Sequence, residues 1–282
     1  MKNQQSTVAI IAIILATLGL VWFTLPAPHE DSLSRYEQGS PVRVGYALEA
    51  PFTNLSPEGE VGGTEPALLR LALSRLGHHR IQWVHAEFEN LIHELRSGRI
   101  DIVCAGMFIT EERAAQVAFT RPTLRVPPGL LLREGASPAW SSLAGLAADD
   151  AARVAVLGGS TDESAARRAG LSPRRIRSYP DAASAVSALL GGEVDVLMLP
   201  SLSLQHLIRI EETHTLRHVI LDGDEDALVG ISAFAVRKED RRLLDALNAT
   251  LAGIVGTPEH AALLASHAVP GAFLPHLRTS PP

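Results

Sequence analysis

Residues 97–104 read Ser97-Gly98-Arg99-Ile100-Asp101-Ile102-Val103-Cys104. The helical stretch Leu91–Leu95 stops at Ser97-Gly98, and Ile100–Cys104 follows as an almost unbroken apolar run. Such a run is the pattern of a parallel strand buried on both faces. Working back from it, Ile81–Val84 reads as a strand and Pro66–Leu76 as a helix stopped by Gly77. Val42-Arg43-Val44-Gly45-Tyr46, after Pro41, reads as the first strand, followed by a loop containing Pro51, Asn54, Pro57 and Gly59. Strand and helix alternate, which predicts a parallel sheet with helices on both faces.

The order repeats downstream. Arg153–Leu157, Ile176–Tyr179 and Val194–Leu199 read as strands, and Asp162–Ala169, Asp181–Leu190 and Ser201–Ile210 as the intervening and following helices. Two such blocks predict two lobes rather than one long sheet. Ser232–Val236 reads as a further strand, Asp240–Val255 and Pro258–Ser266 as helices, and the chain from Pro275 as a frayed tail.

Composition narrows the function classes. A chain of 282 residues suffices for one large domain or two modest ones, and its net charge of −6 with no basic run argues against a nucleic-acid partner. The single cysteine, Cys104, forms no intramolecular disulfide, and no Cys/His metal spacing exists. It reads as a buried, inert thiol. Val8–Leu25 is apolar and uncharged, with Lys2 before it, and sends the rest of the chain across a membrane as an uncleaved anchor or a signal peptide. Pro26 and Pro28 crowd the place where a cleavage site would lie, which favours the anchor; no cysteine follows to carry a lipid. Pro26–Ser40 then reads as a polar linker. No Ser nucleophile elbow or metal pair appears, and Asp222, Asp224 and Asp226 read as solvated turn residues.

Four features point to a ligand site at the ends of the strands. Thr110 follows the buried strand and suits a helix N-cap, but Arg113 stands where a capping box places Glu or Gln. A cation in the first helical turn opposes the helix dipole at a cost of a few tenths to about 1 kcal/mol. Either Arg113 pairs with Glu111 or Glu112, or Arg113, Thr110 and free backbone N–H groups form an anion site at the sheet edge. The Gly158-Gly159-Ser160-Thr161 turn has the same strand-to-helix logic in the second block, without the spacing of a dinucleotide fingerprint. Phe52, Phe88 and Phe108 fall in or beside the loops of the first block, where rings can stack on a cation. Glu49, in the first loop, either accepts from that cation or is a solvated surface carboxylate.

The run Ser97–Val103, with Thr110-Glu111-Glu112-Arg113, Val117-Ala118-Phe119-Thr120-Arg121-Pro122 and Gly191-Gly192-Glu193-Val194-Asp195, resembles the signature of the family 3 extracellular solute-binding proteins. These serve amino-acid-type ABC importers. The resemblance covers about Pro41 to Val269 and implies an α/β type II periplasmic-binding-protein fold: two Rossmann-like lobes with a ligand cleft between them. Glu49-Ala50-Pro51-Phe52, Ala105–Thr110, Arg237–Arg241 and Gly256–His260 resemble the ectoine/hydroxyectoine-binding subgroup. That likeness implies that Arg113 takes the ligand carboxylate, that Phe52, Phe108 and Phe88 enclose a delocalised cation, and that Glu49 accepts its N–H groups. Thr110, Gly159 and Thr161 complete the expected contacts. Amino-acid binders of the family place an Asp where this chain has Pro200, which favours a ligand cation held more by phenylalanine than by acid.

The resulting expectation is an extracytoplasmic, monomeric binding protein that needs no cofactor or metal. It captures a small zwitterion and presents it to an ABC permease of the inner membrane. Lobe one is expected over 41–131 and 230–269 and lobe two over 132–229, with two crossings by short strands near Leu130–Arg133 and Ser232–Val236 forming the hinge. A lyase of the cyclohexadienyl-dehydratase type and a membrane-tethered ligand sensor are the alternatives on the same fold.

Overall fold

The computed structural model describes residues 31–210, 215–221 and 229–275. Two five-stranded sheets are each built around three parallel strands. In the first sheet the order is Ile81–His85, Val42–Tyr46, Ile102–Val103, Ala235–Val236, Ala118–Phe119; the first three run parallel, and Ala235–Val236 is antiparallel to both its neighbours. The second sheet follows the same plan: Ile176–Tyr179, Val154–Leu157, Val196–Pro200, Pro128–Arg133, Leu216–Ile220, with Pro128–Arg133 antiparallel to both its neighbours.

Each sheet is covered on both faces, as its apolar strands require. Val42, Val44 and Ile102 pack against the helices Thr64–Arg75 and Arg241–Ala252, while Ile100, Val103 and Met107 pack on the other face against Leu91–Arg96. In the second lobe Val154, Val156 and Val196 face the helix Thr161–Arg168, and Ala155, Leu197 and Leu199 face Ala182–Leu190.

A matched ion pair anchors each third strand at the end away from the cleft. Asp101 receives the Arg43 backbone N–H at 3.2 Å, Nε at 2.9 Å and Nη2 at 2.6 Å. Asp195 receives the same three groups of Arg153 at 3.0, 2.9 and 2.9 Å. This two-pronged geometry is the strong form of the Arg–carboxylate contact. Ile100–Cys104 keeps strand hydrogen bonding beyond Ile102–Val103, since Asp101 N–H donates to Arg43 O and Cys104 N–H to Gly45 O.

Several expectations shift. Residues 31–40 are no free linker: Ser32–Glu37 is a helix, capped by Asp31, that buries Ser32, Leu33 and Tyr36 on lobe one. Its Arg35 joins Arg43 and Arg237 around the fully buried Asp101. The apolar pair Leu33 and Tyr36, three residues apart, supplies the buried stripe. Ser232–Val236 is two strands, Gly230–Ser232 and Ala235–Val236, in different sheets. Pro128–Arg133 lies wholly in the second sheet. The chain crosses between lobes slightly earlier, where Leu124–Val126 pairs antiparallel with Gly230–Ser232. Beside that crossing Glu65 accepts from Thr123 Oγ1 at 2.8 Å, and the Thr123 and Ser232 hydroxyls lie 2.7 Å apart.

The apolar run Val8–Leu25, the acids Asp222–Asp226 and the tail beyond residue 275 lie outside the described residues. Among the described residues no helix is long and apolar enough to cross a membrane.

Candidate functional site

The C-terminal ends of both sets of parallel strands face each other, and their loops line one cavity. Lobe one contributes Glu49, Phe88, Gly106, Phe108 and Arg113; lobe two contributes Leu157, Ser160, Thr161, Asp162 and Pro200. They border about 310 Å³ of space, part of it open to solvent. This is the edge at which α/β sheets bind ligands.

Arg113 is held from both lobes. Thr110 Oγ1 caps its short helix by accepting from the Arg113 backbone N–H at 3.2 Å. Its Nη1 donates to Phe108 O at 2.7 Å within lobe one, and its Nη2 donates to Gly159 O at 2.8 Å across the cleft. The guanidinium carbon lies 5.3 Å from the Phe88 ring centroid. The Arg113 side chain's hydrogen bonds go to carbonyls at the cleft, while Glu111 and Glu112 are exposed. Arg113 itself is 8% exposed. Burial pulls its guanidinium down to about 10, against the opposing fields of Asp162 and Glu112, so it keeps its charge at neutral pH.

Glu49 sits in a tight turn in which its backbone pairs with Thr53 at 3.1 and 3.0 Å. It is not the solvated carboxylate of the simpler reading: Ser203 Oγ of lobe two donates to its Oε1 at 2.7 Å. Burial pushes the Glu49 carboxyl up to about 7; Asp162 adds to that rise and the Ser203 bond opposes it. Asp162, in the first turn of Thr161–Arg168, is 4% exposed, and burial raises it to about 6 against the pull of Arg113.

The phenylalanines separate. Phe108, 7% exposed, lines the cavity. Phe52 lies behind it, 1% exposed and edge-on to Phe108 with ring centroids 6.5 Å apart. Gly106, at φ +61°, permits this, because a Cβ there would come within 2.7 Å of the Phe52 ring. Phe88 is a wall, but it lies against Arg113's own guanidinium. Of the three expected rings, Phe108 and Phe88 line the cavity, Phe88 also lying against Arg113, and Phe52 stands behind Phe108. The electrostatic weight moves to two carboxylates from opposite lobes.

Thr161 is on the wall as expected, and Gly159 reaches the site through its carbonyl. Asp162, Ser160 and Ser203 are additions. Asp162 carried one sequence signal: it stands directly after the Gly158–Thr161 turn. It passes there for an ordinary acidic residue of a helix N-terminus.

Comparison with known proteins agrees with this architecture. Residues 42–268 match the model of the bacterial extracellular solute-binding proteins, family 3. A probable amino-acid ABC transporter periplasmic-binding protein of Sinorhizobium fredii is 28% identical over 229 residues, covering 79% of this chain and 75% of that protein. The L-arginine-binding protein of Pseudomonas aeruginosa is 31% identical over 179 residues, 62% of this chain and 66% of that one. Among solved structures, EhuB in complex with hydroxyectoine superposes with a TM-score of 0.79 at 28% identity, covering 86% of this chain and 93% of that one. With its two-lobed α/β fold and a cleft at the facing strand ends, the chain belongs to the bacterial extracellular solute-binding proteins, family 3.

Proposed function

We propose that the cleft captures a small zwitterionic solute of the ectoine or amino-acid type outside the cytoplasm and presents it, closed, to an ABC permease. The observation that carries this reading is the polarity of the cavity. The guanidinium of Arg113 and the carboxylates of Glu49 and Asp162 share the wall of one cavity. Arg113 binds the ligand carboxylate with its remaining N–H groups, helped by Ser160 and Thr161. Glu49 receives the N–H groups of the ligand cation while Phe108 covers its face. Phe88 and Thr110 position Arg113, and Phe52 supports Phe108. Lobe one comprises about 41–127 and 230–269, lobe two the segment between.

Relatives supply the ligand classes: EhuB is seen with hydroxyectoine, and a 31% identical relative is an L-arginine-binding protein. Closure of two lobes on a ligand excludes water and strengthens its charged contacts. The protein acts as a periplasmic monomer, tethered to the inner membrane through its N-terminal apolar segment. A binding role is favoured over a lyase because the relatives named above are binding proteins.

Calorimetric titration of the folded protein with ectoine, hydroxyectoine, glycine betaine and the twenty common amino acids tests the proposal. Saturable one-to-one binding of at least one of them is expected. Binding by none, or turnover of prephenate or arogenate, would overturn it.

A further inference from the structure

Among the described residues, the walls of the cavity hold one guanidinium, Arg113, and two carboxylates, Glu49 and Asp162. The acids come from opposite lobes: Glu49 from the turn after the first strand of lobe one, Asp162 from the helix that opens lobe two's binding edge. Leu157, Pro200 and Phe108 supply apolar surface around them. Buried carboxylates in apolar surroundings are costly unless a positive charge meets them. Arg113 answers one of the two, and a ligand's own carboxylate then competes for that same guanidinium. A neutral zwitterion therefore leaves the closed cleft with one uncompensated negative charge, and a ligand of net charge +1 does not.

We propose that Asp162 is a specificity-determining residue that makes the cleft prefer a ligand of net positive charge, one whose delocalised cation is held between Glu49 of lobe one and Asp162 of lobe two. The ligand class is an α-amino acid or similar carboxylate bearing a guanidinium or amidinium. Such a planar cation presents N–H groups along two edges, which suits two acceptors arriving from opposite sides. The inference rests on the binding reading above and goes further by assigning the ligand's net charge and a residue that selects it. It also gives closure a direct electrostatic driving force, since only the closed form brings both carboxylates to one cation.

The test uses L-arginine and L-citrulline, near-isosteric ligands that differ in the charge of the distal group, with ectoine as the neutral zwitterion of the alternative class. Dissociation constants are measured calorimetrically at pH 8 on the folded full chain and on Asp162→Asn. The unmodified protein is expected to bind L-arginine more tightly than L-citrulline and ectoine, and Asp162→Asn to shrink the arginine-to-citrulline ratio at least about tenfold. Asp162→Ser serves as a second variant should Asn disturb the helix N-terminus; circular dichroism and the thermal midpoint establish folding.

A ratio unchanged within twofold overturns the inference, as does an equal loss for both ligands, which would assign Asp162 to positioning Arg113 alone. Tight binding of ectoine with no binding of L-arginine overturns the charge preference and leaves the solute-binding reading intact. Binding of no zwitterion or cation at all overturns both.

Discussion

Closure is where the structure makes its sharpest demand on a single residue. Gly159 lies at the lobe-two edge with φ +69°, and a Cβ built there would sit 3.0 Å from Glu89 Cβ and 3.1 Å from Glu89 Cα, across the cleft in lobe one. Gly159→Ala therefore carries two separable costs. The left-handed backbone costs an alanine about 1 kcal/mol whether the lobes are open or closed. The contact with Glu89 exists only when they are closed, and it involves backbone rather than the free end of a side chain. Relieving it means shifting residues 87–90 or withdrawing Gly159 O from Arg113 Nη2, which is 2.8 Å away. Overpacking of this kind costs about 1–2 kcal/mol.

The first cost lowers the thermal midpoint of the ligand-free protein by about 2–4 °C. The second weakens ligand binding about 5–30-fold. Calorimetric titration reads the second, differential scanning calorimetry the first, and small-angle scattering with saturating ligand reports whether the variant compacts less than the unmodified protein. An unchanged affinity together with full compaction would refute the account of how the lobes meet.

Three further outcomes follow from buried charge. Glu49 is raised to about 7, and a cation needs its carboxylate ionised, so affinity for a cationic ligand should strengthen as pH rises from about 6 to 8. Glu49→Gln should weaken binding about 10- to 100-fold and flatten that pH profile; a profile unchanged by the substitution removes Glu49 from the cation site. Glu65, 1% exposed, is also raised to about 7, and its Oε2 has no hydrogen-bond partner. Its folded pKa lies above the unfolded value, so the folded state binds more protons and stability falls as pH rises from about 4 to 7, by at most about 3 kcal/mol. Glu65→Gln should raise the thermal midpoint at pH 8 and leave it nearly unchanged at pH 4; a lower midpoint at pH 8 contradicts the reading.

Asp101 has the opposite sign. Its hydrogen bonds to Arg43, Arg237 and Arg35 overcome burial and hold its carboxyl well below the usual range. Its contribution is complete above the unfolded carboxylate value and is lost as pH falls towards the folded one. Asp101→Asn leaves three guanidiniums without their shared anion and should cost about 3–5 kcal/mol of stability. Because the cluster lies at the end of the sheet away from the cleft, ligand affinity at a temperature where the variant is folded should stay within about twofold, the usual limit for distant sites.

Much of the fold was legible because the parallel strands are buried on both faces and their helices end at glycine. Ile176–Tyr179, Ser201–Ile210 and Pro258–Ser266 are found where the spacing places them. What escaped is short or non-local. Ala118–Phe119 and Leu124–Val126 span two and three residues, fewer than any periodicity can register. The short strand expected near Leu130–Arg133 is present, but it begins earlier, at Pro128-Gly129, a turn signal that hid its start; proline is tolerated at the first position of a strand. The helix Ser32–Glu37 depends on Asp101 and Asp240, far along the chain.

The site divides the same way. Arg113 stood out by breaking the capping pattern, and the structure places it on the cavity wall. Asp162 broke no local rule: an acid in a first helical turn is unremarkable until the opposite lobe places Glu49 and Arg113 in front of it. Phe52 and Phe108 are indistinguishable by loop position, and only the close approach allowed at Gly106 puts one ring behind the other.

The most direct measurement is a crystal structure of the protein with its tightest-binding ligand. The account predicts a ligand carboxylate oxygen within about 3 Å of the Arg113 guanidinium and a cationic nitrogen within the same distance of Glu49 or Asp162, under the Phe108 ring. A ligand bound outside this cleft, or bound with its cation towards Arg113, would contradict it.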